Sequence, residues 1–426
     1  DVERSRGLGD VYKRQGSFLD KIVEGLLVLL PPAALLGPWA GSGRVFGYRI
    51  LVVLLVGCAV TGWIYPIWVR RFSRAACAIV VVAVAWAVTG VVGAMRLGPH
   101  RDLSSLMGAG LALAGAWSVA RLISDRHIRR ERALRDVAIG WAVAVWAGAP
   151  LAVWEILTAR HLGTYADGAW RNHPGLYRQP ATWLTNPNLY AVFLAVGSVW
   201  VGVVGVRSAT RWVRIAAIAT AVTGLGLLLA TDSRIVYAAL LLAVMVRLWA
   251  VRRWRWVLPG VVMAVVVVIV VTHLHQAGLV WHRFIGVLIH HNDEGPSSFA
   301  VRTTLLAWGL ALVMEYPLLG AGPGGYRANI LAAPKRWFPH GKSDPHNGIL
   351  EIASQYGLVV TALVAVCWCL AIGRCWRSRR WWGAALITAM PVLSLANSTY
   401  LVQSVNQLGW LVCVLAASSS RQETPQ

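Results

Sequence analysis

The chain has 426 residues, of which 57% are hydrophobic and only 14% carry a charge. This composition excludes an ordinary water-soluble protein and indicates a polytopic integral membrane protein. The formal net charge of +22 does not predict a nucleic-acid partner, because the basic residues form clusters between apolar stretches. Such clusters orient a protein in a membrane and attract anionic lipid headgroups. The six cysteines lie in or beside apolar stretches, so neither a disulfide framework nor a metal site is expected.

The first fifteen residues, 1–15, show no signal-peptide pattern and are interpreted as a non-native remnant. Residues 16–426 are predicted to form a single integral membrane domain. Apolar windows of about 20 residues, the length that crosses the hydrocarbon core, predict an all-α bundle of about twelve transmembrane helices. The predicted spans are 22–36, 50–69, 76–95, 104–124, 136–158, 186–206, 213–231, 235–250, 256–272, 347–372, 382–397 and 400–417.

Clusters of arginine alternate along the chain with connections that contain few basic residues. The positive-inside rule therefore places both termini in the cytoplasm. Two long loops, about 159–185 and about 273–346, are predicted to be extracytoplasmic, and the second joins the ninth span to the tenth. The inner clusters lie near residues 70–74, 126–135, 207–214, 252–255 and 374–380.

Asp232-Ser233-Arg234 interrupts an apolar stretch that runs from Ile215 to Trp249. An ionisable residue at membrane depth is costly, which makes it a candidate functional residue. Arg234 is expected at the outer end of the span that begins there. Its guanidinium could bind a diphosphate with two parallel hydrogen bonds. The alternatives are a local pair with Asp232 and snorkelling to the interface.

A second group of candidates lies in the large loop. Residues 301–316 are predicted to form an apolar helix that carries Arg302 in its first turn. The glycine-rich turn from Pro317 to Tyr326 follows this helix. It could bring backbone amides close to an oxyanion, or it could be a tight loop that places Tyr326.

The segment from Ser343 to Asn347 is predicted to open the tenth span, with Asp344 as the N-cap and Pro345 as the first helical residue. His346 would then lie in the first turn, where the helix dipole disfavours imidazolium. A neutral imidazole at the outer surface can act as a general base, and the alternative is a capping residue without chemistry. Glu351, one turn beyond Asn347, is a candidate for orienting the head of that helix.

These motifs, in this order, resemble the O-antigen ligase and polymerase superfamily of bacterial membrane glycosyltransferases. The resemblance covers roughly residues 180–365. It depends on Asn186-Pro187-Asn188, on Ser233-Arg234, on Arg302 with Trp308 ahead of the turn from Pro317 to Tyr326, and on His346-Asn347 with Glu351 and Gly357. The chain departs from the family pattern at Asp344, where many members have a second histidine.

The resemblance implies a GT-C-like fold in the bacterial cytoplasmic membrane, with the site facing outward. It implies transfer of a glycan from an undecaprenyl-diphosphate carrier to a lipid or glycan acceptor, without a cofactor or metal. His346 would be the catalytic base, and Arg234, Arg302 and Arg178 would bind the diphosphate. Supporting roles would fall to Asn347, Glu351, Tyr326, Asn186 and Asn188.

Other functions are less consistent with the sequence. The polymerases of the same superfamily share these motifs, so ligase and polymerase stay open. A flippase for lipid-linked sugars would need basic groups on several spans along a central path, whereas the intramembrane charges here are few and lie near the outer face. A transferase with an acidic base in its first external loop is disfavoured, because residues 37–49 contain no Asp or Glu.

Overall fold

The computed structural model describes residues 2–42, 45–64, 73–124, 129–162, 178–184, 186–251, 298–333, 344–396 and 400–418. These residues form thirteen α-helices and, within the described ranges, almost no sheet. The helices are α1 (Val2–Leu36), α2 (Gly47–Ile64), α3 (Arg74–Leu97), α4 (Ser104–Ser124), α5 (Arg130–Thr158), α6 (Pro187–Gly205), α7 (Arg211–Ala230), α8 (Arg234–Ala250), α9 (Ser298–Glu315), α10 (Gly325–Ala332), α11 (Gly348–Arg377), α12 (Trp381–Leu393) and α13 (Ser404–Ala417).

Short elements connect some of these helices. The strands β1 (Gly41–Ser42) and β2 (Val45–Phe46) pair antiparallel between α1 and α2. Four 3-10 helices lie at Gly37–Ala40, Gly98–His100, Thr182–Leu184 and Ser394–Ala396.

The helices confirm the prediction of an all-α membrane bundle. Seven segments of the described chain are long and apolar enough to cross a membrane: Phe18–Ala40, Arg74–His100, Ser104–Ser124, Arg130–Thr158, Pro187–Gly205, Arg211–Ala230 and Gly348–Arg377. Three shorter apolar helices occupy Gly47–Thr61, Trp381–Ala396 and Ser404–Ala417. The predicted span 256–272 and residues 273–297 and 334–343 of the loop 273–346 lie outside the described residues, so the number of crossings stays a prediction.

The centre of the bundle is built around α6, whose residues from Leu189 to Val196 are all buried. This helix packs between α5 and α7. The ring of Trp141 on α5 lies 5.7 Å from that of Phe193, centroid to centroid, and Gly197 leaves space for the indole. Small residues in membrane helices allow this close approach. By contrast, α3 and α7 expose many large apolar side chains, such as Val81 and Val222, as expected of lipid-facing surfaces.

One long helix, α11, is interrupted. Gly357 has a φ of 80° and a ψ of 174°, which is not helical. The loop after α9 supplies the missing hydrogen bonds: Leu358 N donates to Pro317 O (2.7 Å), and Ala321 N donates to Ser354 O (2.8 Å). A broken helix at membrane depth needs such replacement partners, because lipid offers none.

The helix directions place several helix starts at one end of the bundle. Arg247 near the end of α8 lies over the ring of Trp382 at the start of α12, 5.5 Å from its centroid. Trp368, in the second half of α11, donates to Ile387 O of α12 (2.8 Å). Therefore α12 runs antiparallel to α8 and α11, and these two helices begin at the same end. We call this the upper end. The 3-10 helix Ser394–Ala396, which follows α12 there, contacts α6, α8 and α11.

Candidate active site

Arg234 is the first residue of α8, as predicted. The residue before it, Ser233, is buried and donates from Oγ to Asn188 Oδ1 (2.8 Å). This hydrogen bond joins the start of α8 to the start of α6. Arg234 itself is exposed, so its guanidinium can reach a ligand at the upper end.

The predicted turn before α6 is confirmed. Asn186 is the N-cap of α6, and its Oδ1 accepts from Asn188 N (2.9 Å) and Leu189 N (3.4 Å). Pro187 occupies the first helical position, where its missing N–H leaves no hydrogen bond unmade. The two asparagines therefore have different roles: Asn186 caps α6, and Asn188 holds Ser233.

A local ion pair does not explain Arg234. Among the ion pairs that the described residues form, none involves Arg234. Asp232, with a φ of 51°, lies in the tight connection between α7 and α8.

Arg178 is also exposed and lies at the start of the described segment that leads to α6. Three residues later this segment is anchored by Glu155 of α5, whose Oε2 accepts from Ala181 N (2.8 Å) and Thr182 N (2.9 Å). The other carboxylate oxygen lies 3.2 Å from His161 Nδ1. Our sequence reasoning gave no role to Glu155, although an acidic residue inside an apolar helix is a recognisable signal.

Arg302 lies in the first half of α9 and is half-buried, and this burial lowers the pKa of its guanidinium. One turn later, Leu305 O accepts a hydrogen bond from the Tyr326 hydroxyl (2.7 Å). Burial raises the pKa of Tyr326, so this hydroxyl keeps its proton and donates it. Tyr326 therefore ties α10 to the helix that carries Arg302.

The glycine-rich loop is a packing element. Its amides are used internally: Gly320 N donates to Tyr316 O (3.0 Å), Gly322 N to Gln355 O (2.9 Å) and Gly325 N to Gly322 O (2.9 Å). Gly324 N donates to Gln355 Oε1 (2.7 Å). Ala321 N donates to Ser354 O, and Pro323 has no N–H. These contacts favour the interpretation of the segment as a tight loop that places Tyr326, and they disfavour its interpretation as an oxyanion-binding loop.

The start of α11 differs from the prediction. Asp344 is not the N-cap, and His346 is not in the first turn. Asn347 is the cap: its Oδ1 accepts from Ile349 N and Leu350 N, both at 3.0 Å, and the helix begins at Gly348. His346 precedes the cap with a φ of 49°. The prediction that His346 lies in the first turn, where the helix dipole acts most strongly, was therefore wrong.

Glu351 is buried near the head of α11. Its Oε2 accepts from Tyr400 N (2.6 Å), and the carboxylate also accepts from the Leu401 amide. Glu351 thus fixes the segment before α13 against the helix that follows His346, and its supporting role in the site stays a prediction.

Packing places α9, the helix that carries Arg302, beside the beginning of α11. Leu350 of α11 packs on Gly309 of α9, and Leu318 packs against Gly357. The two helices therefore run side by side in the same direction. Arg302 lies about two turns before Gly309, towards the end of the bundle at which α11 begins.

The candidate residues thus form two groups at the upper end. The donor group consists of Arg178, Asn186, Asn188 and Arg234. The base group consists of Arg302, Tyr326, His346, Asn347 and Glu351. The 3-10 helix Ser394–Ala396 contacts α6 and α8, which carry the first group, and α11, which carries most of the second.

Comparison with known families gives a match over the same region. Residues 219–365 match the model of the O-Antigen ligase family, and this range contains Arg234, the whole base group and the break in α11. A search of curated proteins found no match. Residues 219–365 are thus similar to the O-antigen ligase family, and the apolar helices of the described chain make it a multi-pass membrane protein.

Proposed function

We propose that the protein transfers a glycan from an undecaprenyl-diphosphate carrier to an acceptor hydroxyl at the outer face of the cytoplasmic membrane, as an O-antigen ligase. The family implies lipid-linked glycan substrates. A polymerase would use the same chemistry and differ only in its acceptor.

The observation that supports the proposal is the arrangement of the helices that carry these residues. The helix with Arg302, α9, packs beside the beginning of α11, which His346 precedes, and α8 begins with Arg234 at the same end of the bundle. An imidazole that accepts a proton and guanidiniums that bind an anion are the two functions that this reaction needs.

The proposed step is a displacement at the anomeric carbon. The acceptor oxygen forms a bond to that carbon while His346 takes the hydroxyl proton. The bond between the anomeric carbon and the diphosphate breaks, and the diphosphate leaves with the electron pair. Arg234, Arg302 and Arg178 stabilise the negative charge that develops on it, since guanidiniums bind phosphate oxygens with charge-assisted hydrogen bonds.

A transfer assay tests the proposal directly. The full chain in nanodiscs would receive an undecaprenyl-diphosphate glycan and either a glycolipid or a second donor as acceptor. We expect glycan on the acceptor and release of undecaprenyl diphosphate, and we expect the reaction to survive excess EDTA. A glycolipid product indicates a ligase, and a lengthened lipid-linked glycan indicates a polymerase. Failure with every acceptor, or a loss that magnesium or manganese restores, would contradict the proposal.

A further inference from the structure

A buried carboxylate that the proposed chemistry does not use, that of Glu155, anchors the chain segment next to Arg178 of the donor group. The side chain of Glu155 is fully buried, with 0% of its surface exposed, and that of His161 is 8% exposed. An ionised carboxylate in such a place is costly unless it is hydrogen-bonded and paired. Two consecutive backbone amides, of Ala181 and Thr182, donate to one carboxylate oxygen, and the imidazole of His161 lies 3.2 Å from the other.

The backbone at Ala181 and Thr182, which donates to Glu155, has a conformation that needs an external constraint. Thr182 has a φ of 52°, a left-handed conformation that a β-branched residue rarely adopts. Such conformations persist where the surroundings enforce them. The carboxylate of Glu155 supplies that constraint, since it binds the amide of Thr182 and the amide before it.

A continuous set of contacts leads from Glu155 to Arg234. The anchored residues continue into the 3-10 helix Thr182–Leu184 and then to Asn186, the cap of α6. Asn188, in the first turn of α6, accepts from Ser233, and Arg234 follows directly. Arg178 precedes the anchored amides by three residues.

We propose that Glu155 is a positioning residue that fixes the backbone carrying Arg178 and Arg234, and thereby sets the affinity for the lipid diphosphate. This inference rests on the proposed function. Glu351 provides the same kind of anchor in the base group, where its carboxylate binds the amides of Tyr400 and Leu401. Because the two anchors lie beside different groups, we expect Glu155 to affect binding of the diphosphate and Glu351 to affect kcat.

The test compares three Glu→Gln variants of the full chain in nanodiscs, with undecaprenyl diphosphate as the binding probe. Glu155→Gln keeps the shape of the side chain but removes its charge. We expect it to weaken binding of the probe about tenfold, as the loss of a charge-assisted hydrogen bond does, while kcat at saturating donor stays nearly unchanged. Glu351→Gln should lower kcat and leave probe binding nearly unchanged. Glu131→Gln, at the other end of α5 and exposed, should change neither.

Hydrogen exchange provides a readout that needs no ligand. In Glu155→Gln the amides of Ala181 and Thr182 should exchange faster, and so should the amides of Val236 and Tyr237 in the first turn of α8. A double-mutant cycle with Asn188→Ala should be non-additive for probe binding, because both changes cut the same path.

The inference is overturned if Glu155→Gln binds the probe as the wild type does, if the two changes add, or if the three Gln variants behave alike. Failure of the proposed function has a different signature, namely a wild-type protein that binds undecaprenyl diphosphate no better than undecaprenol. In that case exchange at Val236 and Tyr237 still tests the connection from Glu155 to α8.

Discussion

His346 and Asn347 show how neighbouring residues can divide two tasks. Asn347 caps α11 through its Oδ1, which accepts a hydrogen bond from each of two backbone amides. His346 therefore lies outside the helix, with a left-handed backbone conformation. A histidine held there does not share the capping task. The structure therefore disfavours the interpretation of His346 as the capping residue of α11, and its role as a general base stays a prediction.

Replacing His346 should remove the general base and little else. Alanine at a φ of 49° adds backbone strain, so His346→Asn is the better-matched variant, because asparagine tolerates this conformation. We expect both variants to lose about 10²–10⁴-fold in turnover and to bind undecaprenyl diphosphate as the wild type does. Wild-type turnover in a folded His346→Asn protein would show that His346 is not the base.

Arg234 should act through binding. Its guanidinium can make two parallel hydrogen bonds to phosphate oxygens, whereas an ammonium acts as a point charge. Arg234→Ala is expected to weaken binding of undecaprenyl diphosphate and to lower kcat/KM, and Arg234→Lys to restore only part of either. Isothermal titration and steady-state kinetics on the same samples measure both. Full recovery in Arg234→Lys would mean that charge alone matters at this position.

Short-range signals at the ends of elements were predictable from the sequence. The turn at Asn186-Pro187 and the start of α8 at Arg234 were placed correctly, because caps and proline act within a few residues. Asp344-Pro345 carries the same signal but does not start a helix, since Asn347 is a competing cap three residues later. The break in α11 and the anchor at Glu155 were not predicted, because both depend on partners distant in the chain.

The interrupted helix α11 and the glycine-rich loop form one structural unit. The φ of Gly357, 80°, and the close approach of Leu318 O both require a residue without a Cβ. The loop in turn bonds to Ser354, Gln355 and Leu358, on both sides of the break. The position of Tyr326, and with it the contact to α9, therefore depends on this single glycine.

Gly357→Ala should destabilise the protein by roughly 2 kcal/mol or more, from backbone strain and from a clash with backbone atoms. The matched control is Gly373→Ala in the same helix, where the nearest atom to an added Cβ is Arg377 Nη2 at 3.7 Å. Alanine should be neutral or slightly stabilising there. Thermal unfolding in detergent compares the two, and equal Tm values would mean that the break in α11 is not needed for stability.

At the scale of the whole molecule, hydropathy predicted most of the helices well. Eleven of the twelve predicted spans coincide with helices of the described chain, and the twelfth, 256–272, lies outside it. The hydrophobic signal is strong because a segment in lipid must be apolar and must make all its backbone hydrogen bonds within its own helix. Which helices pack together, such as α9 with α11, depends on side-chain fit that hydropathy does not contain.

The orientation of the bundle follows from the arginine clusters and can be tested by labelling. Arg377 at the end of α11 and Arg379 and Arg380 in the connection to α12 are predicted to be cytoplasmic, whereas α10 is predicted to face outward. In a variant without the six native cysteines, Ala332→Cys should react with an impermeant maleimide in intact cells. Ser378→Cys should react only after the membrane is opened. Both positions are exposed, so failure to label would not come from burial. The reverse labelling pattern would place His346 and Arg234 on the cytoplasmic side of the membrane. A lipid-linked donor and an acceptor at the outer face could not reach them there, so this result would contradict both the orientation and the proposed function.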